Sequence, residues 1–219
     1  ADIFWGLAFL QVAIHLMILT GPGLPEIIFF LLILIWSLRI AGYIFSKKLR
    51  KKVEDPRYQE WRKKWKHFYI RSFFQVYILQ GCLASVVAIP IFLVMIDHVS
   101  INSLFIAGVI IAVIGLIYET IADIQLARFV KIKKKGQIMR KGLWRYSRHP
   151  NYFGESLFWF GVSIIAVQVS FIALISWLTI TLLLRFVSGV PMAEARYKDN
   201  KEFQKYKSKT PPMIPRFWI

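Results

Sequence analysis

The sequence predicts an all-α integral membrane protein, a polytopic bundle of transmembrane helices. Hydrophobic residues make up 57% and aromatic residues 16% of the 219 residues, and a water-soluble domain of this size could not cover so much apolar surface. Long apolar runs recur at close to the roughly 20 residues that a helix needs to cross a bilayer. The basic residues lie between these runs and on one side of them.

Six apolar runs are predicted to cross the membrane, each found with a window of about 19 residues. No soluble domain interrupts them, so we expect one membrane domain over residues 1–219. The predicted spans are residues 3–20, 26–45, 71–96, 103–127, 153–168 and 171–187.

The Lys and Arg residues are concentrated in three segments on one side of the predicted bundle. Residues 46–67, 128–148 and 188–219 contain 26 of the 29 Lys and Arg. The positive-inside rule places these segments in the cytoplasm, and an even number of spans places both termini there as well. The net charge of +17 is then explained by topology and by attraction to anionic membrane lipids. Nucleic acid is not expected as a partner.

Several common catalytic and metal-binding motifs are absent from the sequence. It contains no GxGxxG, GxxxxGK[ST], HExxH, CxxC or GxSxG pattern, so Rossmann and P-loop nucleotide sites and the common hydrolase sites have no support. The single cysteine, Cys82, excludes an intramolecular disulfide and most thiolate metal sites. No bound metal is expected.

Glu119 and Asp123, in the segment IYETIADIQLARF, are the first candidate site residues. They lie at i and i+4 on one face of a predicted helix near its cytoplasmic end, where a charge in the membrane is costly. Asp123 with Gln125 combines a carboxylate and an amide suited to a ribose hydroxyl or a carboxamide. The alternative for Glu119 is a structural salt bridge, with three candidate partners: Arg39, Arg128 and Arg148.

The stretch RYSRHPNYFGE combines an anion site with a helix start. His149–Pro150 ends any preceding helix and begins a new one, with Asn151 near its N-terminus. Arg145 and Arg148, together with the unbonded amides of the helix start, form a natural site for a phosphate or carboxylate. Glu155 lies one turn beyond Asn151 and is expected to bind a polar group that enters from the cytoplasm. Pairing of Glu155 with one of the arginines is the alternative.

Two basic amphipathic segments flank the predicted spans. The loop EDPRYQEWRKKWKHF alternates Trp61, Trp65 and Phe68 with cations, a composition typical of a helix at the membrane surface. The C-terminal tail, from residue 188 on, is predicted to form a surface helix and a Pro-rich stop. It either folds back to close a cytoplasmic pocket with Glu194 or Tyr206, or stays a solvated amphipathic tail.

Six separated segments carry a family resemblance: ADIFWG, EDPRYQEWR, YETIADIQLARF, KGLWRYSRHPNYFGE, FVSGVPMAE and KYKSKTPPMIP. In this order, they resemble a bacterial membrane family, once described as a domain of unknown function, that is placed beside the C-terminal domain of steroid 5α-reductases. The likeness extends over nearly the whole chain. It implies a location in the bacterial inner membrane, with the basic loops in the cytoplasm.

The resemblance implies one of two cofactors. The RHPNY core is shared by steroid 5α-reductases and sterol reductases, which use NADPH, and by isoprenylcysteine carboxyl methyltransferases, which use S-adenosylmethionine. Both branches are all-helical and bind the cofactor in the cytoplasmic C-terminal half. By this resemblance, residues 1–127 form the substrate side and residues 128–219 the cofactor side.

The resemblance to the reductases also assigns residues to parts of NADPH. Asn151 and Glu155 would contact the nicotinamide end, and Asp123 its ribose or amide. Arg128, Arg145, Arg148 and Tyr152 would line the pyrophosphate and adenosine, with a Lys from residues 131–141 near the 2′-phosphate. The predicted cofactor set is Asp123, Gln125, Arg128, Arg145, Arg148, His149, Asn151, Tyr152 and Glu155.

The sequence departs from the steroid reductases at the substrate. Glu119 stands where those enzymes carry an amide, and the steroid-facing Glu and Tyr of their N-terminal half have no counterpart here. A different lipid-like substrate is therefore expected, with His15, Gln11, Gln75 and Gln80 as candidate polar lining. The alternative for these side chains is a hydrogen bond to a neighbouring helix.

The leading functional hypothesis is NADPH-dependent reduction of an enone C=C bond in a lipophilic, steroid- or isoprenoid-like substrate. Glu119 and Glu155 are the predicted catalytic residues, and an acid such as Glu119 or a Tyr would polarise the carbonyl.

Two alternatives to the reductase stay open. The first is a membrane methyltransferase of the isoprenylcysteine carboxyl methyltransferase type, which uses S-adenosylmethionine. It is disfavoured because the many cations suit a ligand with several phosphates and because ADIQLARF resembles the reductases. The second is a non-catalytic lipid-binding or transport protein, in which the acids and arginines are structural pairs.

Overall fold

A computed structural model describes residues 2–49, 56–134 and 136–217 of the chain. All regular secondary structure in these ranges is helical, which confirms the predicted all-α class. The chain divides into two compact units, residues 1–100 and residues 101–219. The second unit begins before the helix that carries Glu119 and Asp123, so that helix belongs with the RYSRHPNYFGE stretch.

The described part of the first unit is a set of mostly apolar helices and one basic helix, α3 (Pro56–Lys64). Their bounds are α1 Asp2–Thr20, α2 Leu24–Leu49, α3 Pro56–Lys64, α4 Phe68–Ser72, α5 Leu79–Val87 and α6 Ile89–Asp97. A π-helical stretch, Phe73–Ile78, joins α4 to α5. Helical structure continues through this stretch, and the predicted span 71–96 is broken only between Val87 and Ile89. Pro90 lies in the first turn of α6, where a residue without an N–H group is tolerated.

α1 packs on α2 and α6 through a buried aromatic and aliphatic core. The Phe9 and Trp36 rings meet edge to face, with centroids 5.7 Å apart. Glu26 is buried at the start of α2, where its carboxylate accepts hydrogen bonds from the Gly23 amide at 2.8 Å and the Val99 amide at 3.1 Å. This carboxylate thus satisfies backbone donors at the helix start.

The second unit contains one long helix, a loop that folds onto it, and a C-terminal helical segment. Its helices are α7 Ser103–Ile132, α8 Pro150–Ala166, α9 Leu174–Leu182, α10 Val190–Ala195 and α11 Lys201–Lys209. The Asn102 side chain caps α7 by accepting a hydrogen bond from the Phe105 amide at 3.0 Å. A π-helical stretch, Leu183–Val187, continues α9.

α7 and α8 approach each other to backbone contact because small residues line their interface. A Cβ added at Gly115 would stand 2.4 Å from the Phe158 nitrogen, and one at Gly154 would stand 2.6 Å from the Glu119 nitrogen. Such contacts are too short for any side chain larger than glycine, and small residues at this spacing are typical of helices that pack in membranes. The α7–α8 pair is the rigid frame of this unit.

Four helical stretches among the described residues are long and apolar enough to cross a membrane, and α1 adds a shorter apolar helix, Trp5–Thr20. The four are Leu24–Phe45, Phe68–Val87, Ser103–Ile132 and Phe171–Ala195. The protein is thus an integral membrane protein. α8 is apolar but has only 17 residues, so the count of six spans, like the cytoplasmic side of the loops, stays a prediction.

The C-terminal segment folds back onto the loop before α8. The Arg148 amide donates to the Pro211 carbonyl at 2.9 Å, and the Arg216 amide donates to the Tyr146 carbonyl at 3.0 Å. Phe203 and Tyr206 of α11 are buried together with Ile138 of the loop. Of the two alternatives for the tail, the described residues match the one that folds back.

Candidate functional site

Acidic and amide side chains meet where α8 begins beside α7. Asp123 of α7 accepts a hydrogen bond from the Asn151 amide nitrogen of α8, with an Oδ1–Nδ2 distance of 3.2 Å. Glu119 is buried one turn earlier on α7, and a Cβ at Gly154 would stand 2.7 Å from the Glu119 Cβ. Three predicted site residues, Glu119, Asp123 and Asn151, therefore meet at the α7–α8 interface.

Two buried polar atoms beside this interface have no hydrogen-bond partner among the described residues. They are the Oδ1 of Asn151 and the hydroxyl of Tyr118. The Tyr118 ring packs edge to face on Phe153 of α8, with centroids 5.4 Å apart. Buried polar atoms are nearly always hydrogen-bonded, so these two atoms indicate a place where a polar ligand or water binds.

Glu155 lies one turn beyond Asn151 on α8 and is only 6% exposed. Its Oε1 accepts a hydrogen bond from the indole nitrogen of Trp159, one turn further along, at 3.1 Å. A carboxylate at this depth is costly and is retained where it binds something polar. We call Glu119, Asp123, Asn151 and Glu155 the α7–α8 polar cluster.

The loop before α8 is fastened to α7 by Gln125. The Gln125 Oε1 accepts a hydrogen bond from the Leu143 amide at 3.0 Å, and the Trp144 indole donates to the Ala122 carbonyl at 3.1 Å. Gly142 has a positive φ of 61°, and a Cβ there would stand 2.5 Å from the Gln125 Oε1. Gln125 thus positions the loop, and its predicted contact with a cofactor stays a prediction.

Arg148 holds the C-terminal segment in place from a buried position. Its Nε donates to the Glu194 Oε1 at 2.8 Å, and its Nη1 donates to the carbonyls of Lys207 at 3.0 Å and Thr210 at 2.6 Å. These contacts join the loop, α10 and the end of α11. They give Arg148 a structural role. Its contact with a phosphate stays a prediction.

Glu194 is the centre of this ionic group. Besides Arg148, its carboxylate contacts the His149 Nε2 at 3.1 Å and the Lys207 Nζ at 3.0 Å. We call Arg148, His149, Glu194 and Lys207 the Arg148 cluster. From the sequence, Glu194 is predicted only to be a tail residue that reaches into a pocket. Its partners were not foreseen, because Arg148 and His149 lie more than 40 positions earlier in the chain.

His149 is neutral near pH 7 in this environment. Burial lowers its pKa below the ordinary value of 6.5, against the opposing effect of the Glu194 carboxylate. Its ring also stacks on Tyr152 of α8, with centroids 5.1 Å apart and planes only 7° apart. His149 and Tyr152, both predicted cofactor contacts, are therefore placed together at the start of α8.

Tyr206 of α11 is hydrogen-bonded to the same loop. Its hydroxyl donates to the carbonyl of Trp144 and lies 3.2 Å from the carbonyl of Ser147. Burial raises the pKa of this phenol, so it remains a hydrogen-bond donor. The Ser147 hydroxyl in turn donates to the Met213 carbonyl at 2.7 Å.

The remaining predicted cations are exposed. Arg128 at the end of α7 and Arg145 in the loop are both accessible to solvent, and the Arg145 guanidinium lies 5.8 Å from the centre of the Tyr146 ring. Arg140 is also exposed but forms an ion pair with Glu202 at 2.7 Å. The lysines at 131, 133, 134 and 141 are exposed, and Lys135 lies outside the described residues.

The predicted substrate-lining residues lie on the first unit. The ring nitrogen Nδ1 of His15 is 2.8 Å from the Gln11 carbonyl in the same helix. The Oε1 of Gln80 accepts a hydrogen bond from the Trp5 indole at 2.6 Å, as the alternative of bonding between helices expected. Gln75 is exposed within the π-helical stretch. Contact of these residues with a substrate stays a prediction.

Sequence reasoning missed Tyr118 as a site residue. The first candidate residues were charged groups inside the spans, and Tyr118 carries no charge, although it directly precedes Glu119. The available signal was a phenol hydroxyl within an apolar helix, which usually has a polar partner when buried. Among the described residues, no three His, Cys, Asp or Glu side chains are arranged to hold a metal ion.

One family of known sequences matches the chain. The sequence profile described as "Protein of unknown function (DUF1295)" matches residues 1–210, which include the α7–α8 polar cluster and the whole Arg148 cluster. No curated protein matches the chain, and no solved structure matches it. A match over this length shows the family, and the chain belongs to the DUF1295 family.

Proposed function

We propose that this protein is an NADPH-dependent membrane oxidoreductase that reduces the C=C bond of an enone in a lipophilic, steroid- or isoprenoid-like substrate. The observation that carries the proposal is the Asp123–Asn151 pair, in which the Asn151 Oδ1 is buried without a hydrogen-bond partner among the described residues. The resemblance to the steroid 5α-reductase group supports the same site.

The residues present fit a dinucleotide. The nicotinamide carboxamide needs an acceptor for its N–H groups, and the Asn151 Oδ1 offers one, while Asp123 holds the Asn151 side chain in that orientation. The exposed Arg128 and Arg145 suit the phosphates. Arg148 is less suited, since three of its hydrogen bonds already hold the C-terminal segment.

NADPH would supply the hydride, and the chain would supply orientation and a proton donor. Glu119 lies one turn from Asp123 on the same helix face, and the Tyr118 hydroxyl is buried next to it in sequence. Either group, in its protonated form, could donate a hydrogen bond to the substrate carbonyl and so favour hydride addition at the β-carbon. A positioned donor of this kind contributes on the order of 10²–10⁴ in rate.

Ligand-dependent thermal stability of the detergent-purified protein tests the cofactor. A ligand at about 100 times its dissociation constant adds roughly 2.7 kcal/mol to the free energy of unfolding. We expect stabilisation by NADPH, less by NADH, and none by S-adenosylmethionine. Asn151→Ala and Glu155→Ala should remove the NADPH effect.

Two arginines in the same basic loop provide a matched control. Arg145→Ala should weaken NADPH binding, because Arg145 is an exposed cation in the proposed phosphate site. Arg140→Ala removes an exposed cation that is paired with Glu202 and should leave NADPH binding unchanged. Stabilisation by S-adenosylmethionine alone would contradict the proposal and indicate a methyltransferase. No stabilisation by either cofactor would favour the non-catalytic alternative.

A further inference from the structure

A groove lies in the second unit, among α8, α9 and the C-terminal segment. It encloses about 160 Å³. Its walls include Phe153, Leu157 and Phe160 of α8, Trp177 and Thr181 of α9, and Met213. An engineered apolar cavity of about 150 Å³ stays dry and binds a hydrocarbon as large as benzene, so this groove has room for a segment of a hydrocarbon chain.

The hydrogen-bonding side chains in the described walls of the groove are bonded to one another. Its two hydroxyl groups, from Ser156 and Thr181, are hydrogen-bonded to each other at 2.7 Å. The Trp177 indole also donates to the Ser156 hydroxyl, at 3.1 Å. Most of the groove wall is apolar, so a polar ligand would lose hydration here that these few groups replace only in part. The walls therefore select a hydrocarbon.

The groove and the α7–α8 polar cluster lie on different faces of α8. Phe153, Leu157 and Phe160 recur at the spacing of one helix face, whereas Asn151 and Glu155 lie on the opposite face at about 100° per residue. The groove is thus distinct from the polar cluster of the proposed reductase site, and its wall residue Phe153 also packs on the Tyr118 ring. An inference about its occupant does not depend on that proposed function.

The surroundings of the groove indicate where its occupant comes from. α9 belongs to the apolar stretch Phe171–Ala195, which is long enough to cross the membrane. Leu178 and Leu182, the neighbours of Trp177 and Thr181 in sequence, are about half exposed, at 47% and 52%. In a membrane, exposed apolar side chains of this helix contact acyl chains.

A cation follows the groove on the same helix. Arg185 comes one turn after Thr181, within the π-helical stretch, and its guanidinium lies 4.7 Å from the centre of the Phe186 ring. Arg185 lies near the end of the predicted span 171–187, and a basic residue in such a position attracts anionic lipid headgroups. We propose that the groove binds an acyl chain of an anionic phospholipid, whose headgroup is held by Arg185.

This lipid would also brace the C-terminal segment. Met213 forms part of the groove wall, and its carbonyl accepts the hydrogen bond from Ser147, next to Arg148. An acyl chain in the groove therefore packs on Met213, which is hydrogen-bonded to the residue that precedes Arg148. The bound lipid is expected to stabilise the fold as well as to occupy the surface.

Quenching of tryptophan fluorescence by brominated lipid tests the proposal on the full chain in detergent. The delipidated protein is titrated with phosphatidylglycerol or phosphatidylcholine that carries dibrominated acyl chains. The Trp177 signal is isolated by comparison with Trp177→Phe, since the chain has eight Trp residues. We expect saturable quenching of the Trp177 signal, with tighter binding of phosphatidylglycerol.

Matched variants separate a groove lipid from lipid that merely surrounds the protein. Leu157→Phe fills the groove and should abolish the saturable quenching, whereas Leu178→Phe makes the same change on the exposed face and should preserve it. Arg185→Gln should weaken phosphatidylglycerol roughly fivefold, the equivalent of about one surface charge, and should leave phosphatidylcholine unchanged. Circular dichroism and gel filtration verify that each variant is folded. If Leu157→Phe does not fold, Arg185→Gln still tests the proposal, because Arg185 lies outside the groove wall.

Three results would overturn the proposal. Quenching that rises linearly with lipid and is equal in the two Leu variants would show only surrounding lipid. Saturable quenching with no preference for phosphatidylglycerol would refute the headgroup contact. A dimer in wild-type protein that Leu157→Phe converts to a monomer in light scattering would show that a second copy of the chain covers the groove.

Discussion

Replacing Glu194 by alanine tests whether the buried Arg148 cluster holds the C-terminal segment in place. The Arg148 and Glu194 side chains are 8% and 7% exposed, with the Nε and Oε1 atoms 2.8 Å apart. Removing one partner of a buried ion pair costs about 3–5 kcal/mol, because it leaves the other charge buried without its counter-ion. Arg148 keeps two backbone acceptors, the carbonyls of Lys207 and Thr210, so we expect about 2–4 kcal/mol.

The same tail contains a matched control on its surface. Glu202 pairs with Arg140 at 2.7 Å, but the two side chains are 62% and 46% exposed. An exposed pair contributes only about 0–1 kcal/mol. Glu202→Ala therefore removes a carboxylate that also pairs with an arginine at a similar distance. It differs from Glu194→Ala mainly in the burial of the pair.

Thermal unfolding in detergent, followed by circular dichroism, compares the two variants. Glu194→Ala should lower Tm much more than Glu202→Ala. Replacing both members of the buried pair, as Arg148→Met with Glu194→Met, should restore part of the loss, since an apolar pair leaves no unpaired charge. Equal effects of Glu194→Ala and Glu202→Ala would refute the reasoning, and so would a double variant no more stable than Glu194→Ala.

Three further predictions concern packing, pH and the loop. Gly154→Ala should destabilise the protein by about 1–3 kcal/mol in thermal unfolding, because its Cβ would overlap α7, whereas Gly81→Ala, with open space around it, should be neutral or stabilising. The lowered pKa of His149 means that below pH 6.5 the unfolded state binds more protons. Stability should be full above pH 6.5 and fall as the pH drops towards 5, and His149→Gln should flatten this slope in Tm measured against pH. Gly142→Ala strains a residue at φ 61° and crowds Gln125, so limited proteolysis should cut its loop faster than that of wild-type protein.

The helices could be predicted from the sequence because they depend on local properties. Apolar runs predicted the helical stretches, and the bounds of α1, α7 and α8 agree with the predicted spans within about five residues. The hydrogen bond between Asp123 and Asn151 was not predicted; the family resemblance implied only that both residues contact the same cofactor. The i,i+4 spacing of Glu119 and Asp123 placed them on one helix face. The glycines that bring α8 against that face did not by themselves predict this packing.

Contacts between residues far apart in the chain could not be predicted in this way. Nothing local to Arg148 indicates that its partners are Glu194, 46 positions later, and two carbonyls of the tail. Sequence reasoning gave Arg145 and Arg148 the same phosphate site, with pairing to Glu155 as the alternative for either. The structure distinguishes the buried Arg148 from the exposed Arg145, because only the folded chain determines which cations keep their hydration.

By itself, the sequence determined that this chain is a helical membrane protein with basic loops and a small set of costly polar groups. These properties follow from composition and periodicity, which act over one or two helical turns. Only the tertiary structure decided that Gln125 and Arg148 position the loop and its tail, that the Asn151 Oδ1 is buried without a hydrogen-bond partner among the described residues, and that an apolar groove lies on the other face of α8. Such roles depend on shape complementarity and desolvation between distant segments, and the chain acquires them only when those segments pack together.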